Sequence, residues 1–146
     1  ERNSFQSMQS KPVKIEAYVD GSYKDGRVGW GAVIIKNNEL YGEFCGLLND
    51  GEEQGTRQVA GELRAVKEVI FWCQEQGVKE ITIHYDYTGI KDWPTGAWKA
   101  KNPITQDYRD YVRASGLKIH WVKVKSHSGN KYNDKADKLA REIISD

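Results

Sequence analysis

Long apolar runs are missing from this 146-residue chain, and cysteine is scarce. No run approaches the roughly 20 apolar residues that a membrane-spanning helix needs, and the N-terminal segment lacks the apolar stretch of a secretion signal. Cys45 and Cys73 are the only cysteines, which is too few for a disulfide framework, and their spacing is not that of metal ligands. We therefore expect a cytoplasmic protein that has no membrane partner and keeps both thiols free.

What the chain does contain is typical of one folded domain. Its length suits a single domain with a substantial core, and 38% hydrophobic with 29% charged residues is a globular balance. Residues 1–12 are polar and without periodicity, so we expect a disordered linker or cloning remnant there. Residues 13–146 are expected to form one monomeric domain.

The net charge of +1 conceals an uneven distribution. The first 62 residues carry ten acidic and seven basic side chains, whereas residues 99–131 carry eight basic and only two acidic ones. An acidic region beside a basic one could grip a polyanion on both sides of a reacting phosphate. Taken alone, however, the lysine-rich stretch is better explained as a solvated surface.

Hydrophobic periodicity predicts five strands and four helices. Strands are expected over 13–20, 28–36, 39–48, 78–85 and 117–124, with residues 21–26 forming the first turn. Helices are expected over 57–76, 88–93, 103–115 and 131–144, with Gly77 ending the first and Pro94 stopping the second. Three successive strands followed by alternating helices and strands predict an α/β fold. Its five-stranded mixed sheet would join a three-stranded antiparallel meander to two parallel strands, with helices on both faces.

Three acidic residues fall where a lone charge would be costly to bury. Asp20 and Asp86 end the first and fourth predicted strands, and Glu62 lies on the apolar side of the first helix. A right-handed crossover makes those strands parallel neighbours, so both aspartates would share one sheet edge with Glu62 above them. Each acid alone is explained as a turn, cap or solvated residue, but converging like charges repel unless they are protonated or bound to metal. Because Mg²⁺ prefers oxygen ligands and keeps sites for water and phosphate, the pattern indicates phosphodiester cleavage.

The last helix offers two further acids, Asp134 and Asp137. Asp134 falls in the first turn, where the N-terminus of a helix favours a negative charge. Asp137 lies between Ala136 and Ala140 on the side that is expected to face the sheet. Helical geometry therefore separates the two acids, with Asp137 on the inward side of the helix and Asp134 at its N-terminus.

Four segments, in this order, resemble the type 1 ribonuclease H family: YVDGS, AGE, YD and WVKVKSHSGNKYNDKADKLA. The resemblance covers about residues 14–144, and RQVAGE and YDYTGIKDW are most similar to bacterial members that also occur fused to a viroplasmin-type domain. It implies a ribonuclease H-like fold and an endonuclease that hydrolyses the RNA strand of RNA–DNA hybrids. The implied cofactor is a pair of Mg²⁺ ions, for which Mn²⁺ can substitute, about 3.5–4 Å apart as in other two-metal sites.

The resemblance also implies which residues act. Asp20, Glu62, Asp86 and Asp137 correspond to the catalytic, metal-holding acids, and only Asp137 fits the family pattern in the last helix. His127, in a Gly-containing loop, corresponds to a histidine that transfers a proton or assists product release, a role that suits imidazole. Without the flanking motif, a solvent-exposed histidine with no task would be the better explanation.

Ten residues are predicted to contact the hybrid. Gly21 and Ser22 are small enough to let a backbone or phosphate come close. Thr56, Arg57 and Gln58 occupy, with different spacing, the region where the family usually has Asn or Gln against the RNA 2′-hydroxyls. A shortened form of the family's basic protrusion could grip the DNA strand by stacking and charge, although its first tryptophan fits the core equally well. The residues of this protrusion, and the asparagine of the last motif, are Trp93, Trp98, Lys99, Lys101 and Asn133.

Two other functions are compatible with parts of the pattern. A DNA transferase, such as a transposase or integrase core, shares the fold, but the Glu on the first helix and the histidine loop disfavour it. A hybrid-binding module that has lost catalysis is disfavoured because all four acids are present.

Overall fold

The computed structural model describes residues 13–48, 57–125 and 129–145. Within these ranges it contains five strands and four helices in the predicted order. They are β1 Ile15–Lys24, β2 Arg27–Lys36, β3 Glu39–Leu47, α1 Gln58–Gln76, β4 Glu80–Tyr85, α2 Gly89–Thr95, α3 Pro103–Ala114, β5 Lys118–Lys123 and α4 Lys131–Glu142. In the described part of the chain, no helix is both long and apolar enough to cross a membrane.

One sheet contains all five strands, in the order β3-β2-β1-β4-β5. β1, β2 and β3 pair antiparallel, whereas β4 pairs parallel with both β1 and β5. The two hairpins are tight because Asp25-Gly26 and Asn37-Asn38 adopt left-handed backbone angles, which match the twist of the strands. The predicted fold class, a meander joined to two parallel strands, is confirmed.

The two faces of the sheet bury different side chains. On one face, Val19 of β1 and Ala32 of β2 belong to the main core together with Val66 of α1. On the other face, Tyr18 of β1 packs in a smaller cluster with Ala136 of α4. Helices therefore cover both faces, and the two that bear the predicted acids, α1 and α4, lie on opposite sides of β1.

Two predicted boundaries are wrong, and the remaining bounds differ from the observed ones by at most two residues. β1 does not end at Asp20 but continues to Lys24, because the residues expected to form a turn keep pairing with β2. Pro94 does not stop α2 but lies inside it. A proline cannot bond the carbonyl four residues earlier, and that carbonyl, of Ile90, instead accepts the Tyr108 hydroxyl at 2.6 Å.

Glycine allows α1 to touch the sheet backbone directly. A Cβ on Gly21 would lie 2.6 Å from the backbone nitrogen of Glu62. A Cβ on Gly61 would collide with the carbonyl oxygen of Gly29 and lie 3.0 Å from the Cα of Gly21. No side chain fits between the helix and the sheet at this point, so α1 approaches as closely as the backbones permit.

Gly61→Ala should therefore destabilise the protein, although alanine is the better helix former by about 1 kcal/mol. Overpacking of this kind costs about 1–3 kcal/mol, or more when the obstacle is backbone. Urea denaturation measures the change. Gly42→Ala in β3 is the matched control, because its Cβ would meet only ordinary contacts, 3.6 Å from Phe44, and should leave stability nearly unchanged. Equal stability of the two variants would contradict the close contact.

Candidate active site

Three acidic side chains meet where the parallel strands β1 and β4 separate. Their pairing extends only to Tyr18 and His84, although β1 continues alongside β2. Asp20 lies just past that point, Asp86 directly follows β4, and α1 carries Glu62 to the gap. One carboxylate oxygen from each of these acids lies within 4.8 Å of the others. The predicted meeting of the three acids is confirmed.

Burial makes the charges of this cluster costly. Asp20 is 7% exposed and Glu62 is 6% exposed. The pKa of Glu62 is raised to about 11, mainly because the buried carboxyl loses its hydration. A hydrogen bond to Asp86 and repulsion from its charge contribute further. Loss of hydration and repulsion from Asp86 also raise the pKa of Asp20 to about 7. The Gly21 N–H lowers this pKa in part, because it donates a hydrogen bond to the Asp20 carboxylate at 2.9 Å. Without a bound cation, the cluster therefore holds a proton at neutral pH.

The fourth predicted acid, Asp137, faces the same pocket from α4. It is half-buried, and its Oδ2 accepts a hydrogen bond from Nε of Arg141 at 2.9 Å. It lies outside the group of three that meets within 4.8 Å, but its charge contributes to the raised pKa of Asp20. Asp134 also lines the pocket and is exposed in the first turn of α4, as predicted.

About 230 Å³ of space lies between these side chains. Besides the acids, the walls include Gly21, Gln58 and Asn133. Asn133 is 3% exposed, and its Oδ1 has no hydrogen-bond partner among the residues that the structure describes. Hard oxygen donors around a small pocket suit a divalent metal ion, so the residues present fit metal binding.

The aromatic residues predicted to contact DNA form one cluster with Tyr87. Its three ring pairs have centroids 5.7 to 6.1 Å apart. Trp93 is half-buried and packs against the core, which is the alternative that its sequence position left open. Trp98 is 40% exposed, and Lys99 and Lys101 are exposed on the segment that follows it.

The residues predicted to contact RNA are only partly assembled. Gln58 lines the pocket, and Ser22 is half-exposed on β1. Arg57 is exposed directly before α1, with its guanidinium 5.6 Å from the ring centre of Tyr23. Its φ of 51° lies in the left-handed region, which is strained for a residue with a side chain. Two predicted residues, Thr56 and His127, lie outside the described residues.

Two residues near the acids were not predicted. Arg141 binds Asp137, and their spacing of four along a helix is a signal that could have indicated the pair. Tyr87 follows Asp86 in the chain, and the charge of Glu62 adds to the burial that raises the pKa of its hydroxyl. Its place in the aromatic cluster depends on packing with α2 and therefore has no local signal.

A larger groove, of about 600 Å³, lies between α1 and α3. Its charged side chains are already paired, since Lys67 binds Asp107 at 2.6 Å and Arg64 binds Glu68 at 2.7 Å. The groove therefore presents no unsatisfied charge comparable to that of the acidic pocket.

A family model and individual known sequences both match this chain over most of its length. The model of the RNase H family matches residues 12–145. The ribonuclease H of Acetivibrio thermocellus is 30% identical over 141 residues, an alignment that covers 90% of this chain and 95% of that protein.

Solved structures show the same fold. The RNase H1 of Halobacterium salinarum NRC-1 has a TM-score of 0.76 at 20% identity, covering 90% of this chain and 97% of that one. LC11-RNase H1, solved in complex with an RNA/DNA hybrid, has a TM-score of 0.75 at 20% identity, covering 90% and 96%. The fold agrees with the family match, which extends over nearly the whole sequence. The chain belongs to the ribonuclease H family.

Proposed function

We propose that this ribonuclease H is an endonuclease that cuts the RNA strand of RNA–DNA hybrids at the pocket of Asp20, Glu62, Asp86 and Asp137. The observation that carries the proposal is the convergence of the first three carboxylates within 4.8 Å. Buried like charges destabilise a fold, and a bound cation converts that repulsion into attraction.

The four acids would hold two Mg²⁺ ions, for which Mn²⁺ can substitute. When bound, such a pair activates the attacking water and stabilises the leaving oxygen of a phosphodiester. The chain itself fixes the carboxylates: Gly21 N–H binds Asp20, and Arg141 binds Asp137. Glu62 is held by the close packing of α1, and metal binding would displace the proton that its raised pKa retains.

Recognition of the hybrid would depend on shape more than on base identity. The wide minor groove of an A-form duplex exposes 2′-hydroxyls, and Gln58 and Ser22 are the polar residues beside the pocket that would contact the RNA strand. Trp98 would stack on a base of the DNA strand, with Lys99 and Lys101 near its phosphates. LC11-RNase H1 was solved with an RNA/DNA hybrid, which supports this substrate class.

Several other roles are part of the proposal. His127 would transfer a proton or assist product release, and Arg57, Thr56, Gly21 and Asn133 would lie near the RNA strand. The domain over residues 13–146 would act as a cytoplasmic monomer. The similarity to members that carry a viroplasmin-type domain stays a prediction.

Asp86→Asn should abolish cleavage of a labelled RNA–DNA hybrid while keeping hybrid binding, because it removes one metal-holding charge and preserves shape. Without metal, the variant should melt a few degrees higher than the wild type, since one repelling charge is gone. Cleavage is measured in Mg²⁺, binding by fluorescence anisotropy in Ca²⁺, and melting in EDTA.

Asp110→Asn is the matched control, because it makes the same charge change at an exposed residue of α3 that pairs with Arg109. It should cleave like the wild type. Normal turnover by Asp86→Asn would show that Asp86 is not a metal ligand. A wild type that binds hybrids but does not cut them in Mg²⁺ or Mn²⁺ would instead indicate a binding module.

Asp137→Asn and Asp134→Asn should differ in their effects on cleavage and on stability, although both residues line the pocket. We expect a large loss of cleavage for Asp137→Asn, because the Asp137 charge acts on Asp20. Asp134→Asn should mainly weaken the start of α4, by about 0.5 kcal/mol. Cleavage rates and urea denaturation of both variants make the comparison. Equal losses of activity, or the reverse order, would place Asp134 in the metal site.

The metal-free protein should lose stability as the pH rises from about 5 to 8. Unfolded carboxyls titrate near pH 4, whereas the folded pKa is about 7 for Asp20 and about 11 for Glu62. The folded protein therefore binds more protons than the unfolded chain in this interval, and the free energy of unfolding falls with pH. Urea denaturation in EDTA measures the slope, and saturating Mg²⁺ should remove it because the ions replace the protons.

The double variant Asp20→Asn/Glu62→Gln isolates this effect. It lacks both carboxyls whose pKa is raised in the folded protein, so its stability in EDTA should depend much less on pH over the same interval. A wild type and double variant with the same slope would show that the two acids ionise normally in the folded protein.

A further inference from the structure

One polar side chain of the acidic pocket has incomplete hydrogen bonding. Asn133 lies in the first turn of α4, where its backbone N–H donates to the side chain of Asn130 at 3.0 Å. Its own side chain is nine-tenths or more buried, and no described residue donates a hydrogen bond to Oδ1. A buried amide oxygen without a donor is destabilising, so its presence in a folded protein requires an explanation.

The pocket wall does not supply the missing donor. Its five acids have carboxylates, which only accept hydrogen bonds once a bound cation has displaced the proton that the metal-free cluster retains. Gln58 has an amide that can donate, but it is exposed and does not bond Asn133. A group that enters the pocket can supply this donor, since no described residue of the pocket wall does.

We propose that Asn133 is a positioning residue whose Oδ1 accepts a hydrogen bond from a water bound to the metal at the acidic pocket. This inference rests on the proposed function. It adds to the carboxylate ligands a residue that would bind a water of the metal rather than the metal itself. Mg²⁺ keeps several of its waters when it binds protein, and those waters are O–H donors. A 2′-hydroxyl of RNA has the same donor chemistry, and the experiment below separates the two sources.

The chemistry of the amide suits this task. An asparagine offers an acceptor oxygen without adding another negative charge to a cluster whose members already repel one another. Asn133 and Asp137 are four residues apart and therefore lie on one side of α4. The same rigid helix would fix both the metal-holding carboxylate and the acceptor that orients the water, which is how partners outside the ligand shell tune metal sites.

The test compares Asn133→Leu with the wild type, because leucine has a similar shape and no acceptor. In EDTA, the melting temperature of the variant should equal or exceed that of the wild type, since an unsatisfied oxygen has been removed. The rise in melting temperature on adding Mg²⁺ should shrink. The Mg²⁺ concentration for half-maximal cleavage should rise roughly 10- to 100-fold.

Two further variants sharpen the comparison. Asn133→Asp keeps an acceptor oxygen and should restore most of the Mg²⁺-induced rise in melting temperature. Asn130→Ala removes the cap of the same helix, so it should lower the melting temperature in EDTA but leave the Mg²⁺-induced rise intact. Asn133→Ala replaces the leucine variant in every measurement if leucine prevents folding.

The outcomes are distinct. A leucine variant with the wild-type response to Mg²⁺ would overturn the inference, and so would a lower melting temperature in EDTA without a change in metal response. A raised KM for the hybrid with unchanged Mg²⁺ dependence would assign the donor to an RNA hydroxyl instead. A wild type with neither an Mg²⁺-induced rise nor hybrid cleavage would overturn the proposed function itself.

Discussion

Contact between two backbones, at Gly21 of β1 and Gly61 of α1, determines the geometry of the acidic pocket. With a side chain at either position, α1 would have to stand farther from the sheet, and Glu62 would move away from Asp20 with it. The same device operates on the opposite face, where a Cβ on Gly31 would lie 2.9 Å from the backbone nitrogen of Ala140 in α4. Both helices that bring acids to the pocket are thus positioned by glycines of the central strands.

This precise placement creates an electrostatic conflict. The fold uses its apolar core to hold buried carboxylates at distances where they repel, and net protein stability is small enough for one such conflict to be a measurable fraction of it. Protonation of Glu62 relieves part of the repulsion in the metal-free state. A bound cation would relieve it more completely, so stability and metal binding are coupled through the same three side chains.

The order and type of the elements, and the meeting of Asp20, Glu62 and Asp86, could be predicted because periodicity and the right-handed crossover are local or general rules. The errors have non-local causes. Gly21 and Ser22 are typical of a turn, yet pairing with β2 continues through them. Pro94 fits inside α2 because a tyrosine of α3 satisfies the carbonyl that proline leaves free. The unsatisfied oxygen of Asn133 likewise depends on tertiary packing. The ion pair between Asp137 and Arg141 is the exception, because their spacing of four along α4 is a local signal.

The proline of α2 also shows how the aromatic cluster is attached. Tyr108 of α3 binds the Ile90 carbonyl, and Arg113 of α3 binds the Pro94 carbonyl at 2.9 Å. These two hydrogen bonds to α2 therefore come from α3 rather than from the strands that carry the acids. The loop that bears Trp98 connects the same two helices, so a loop of different length would leave both hydrogen bonds, and the core positions of Ile90 and Tyr108, in place.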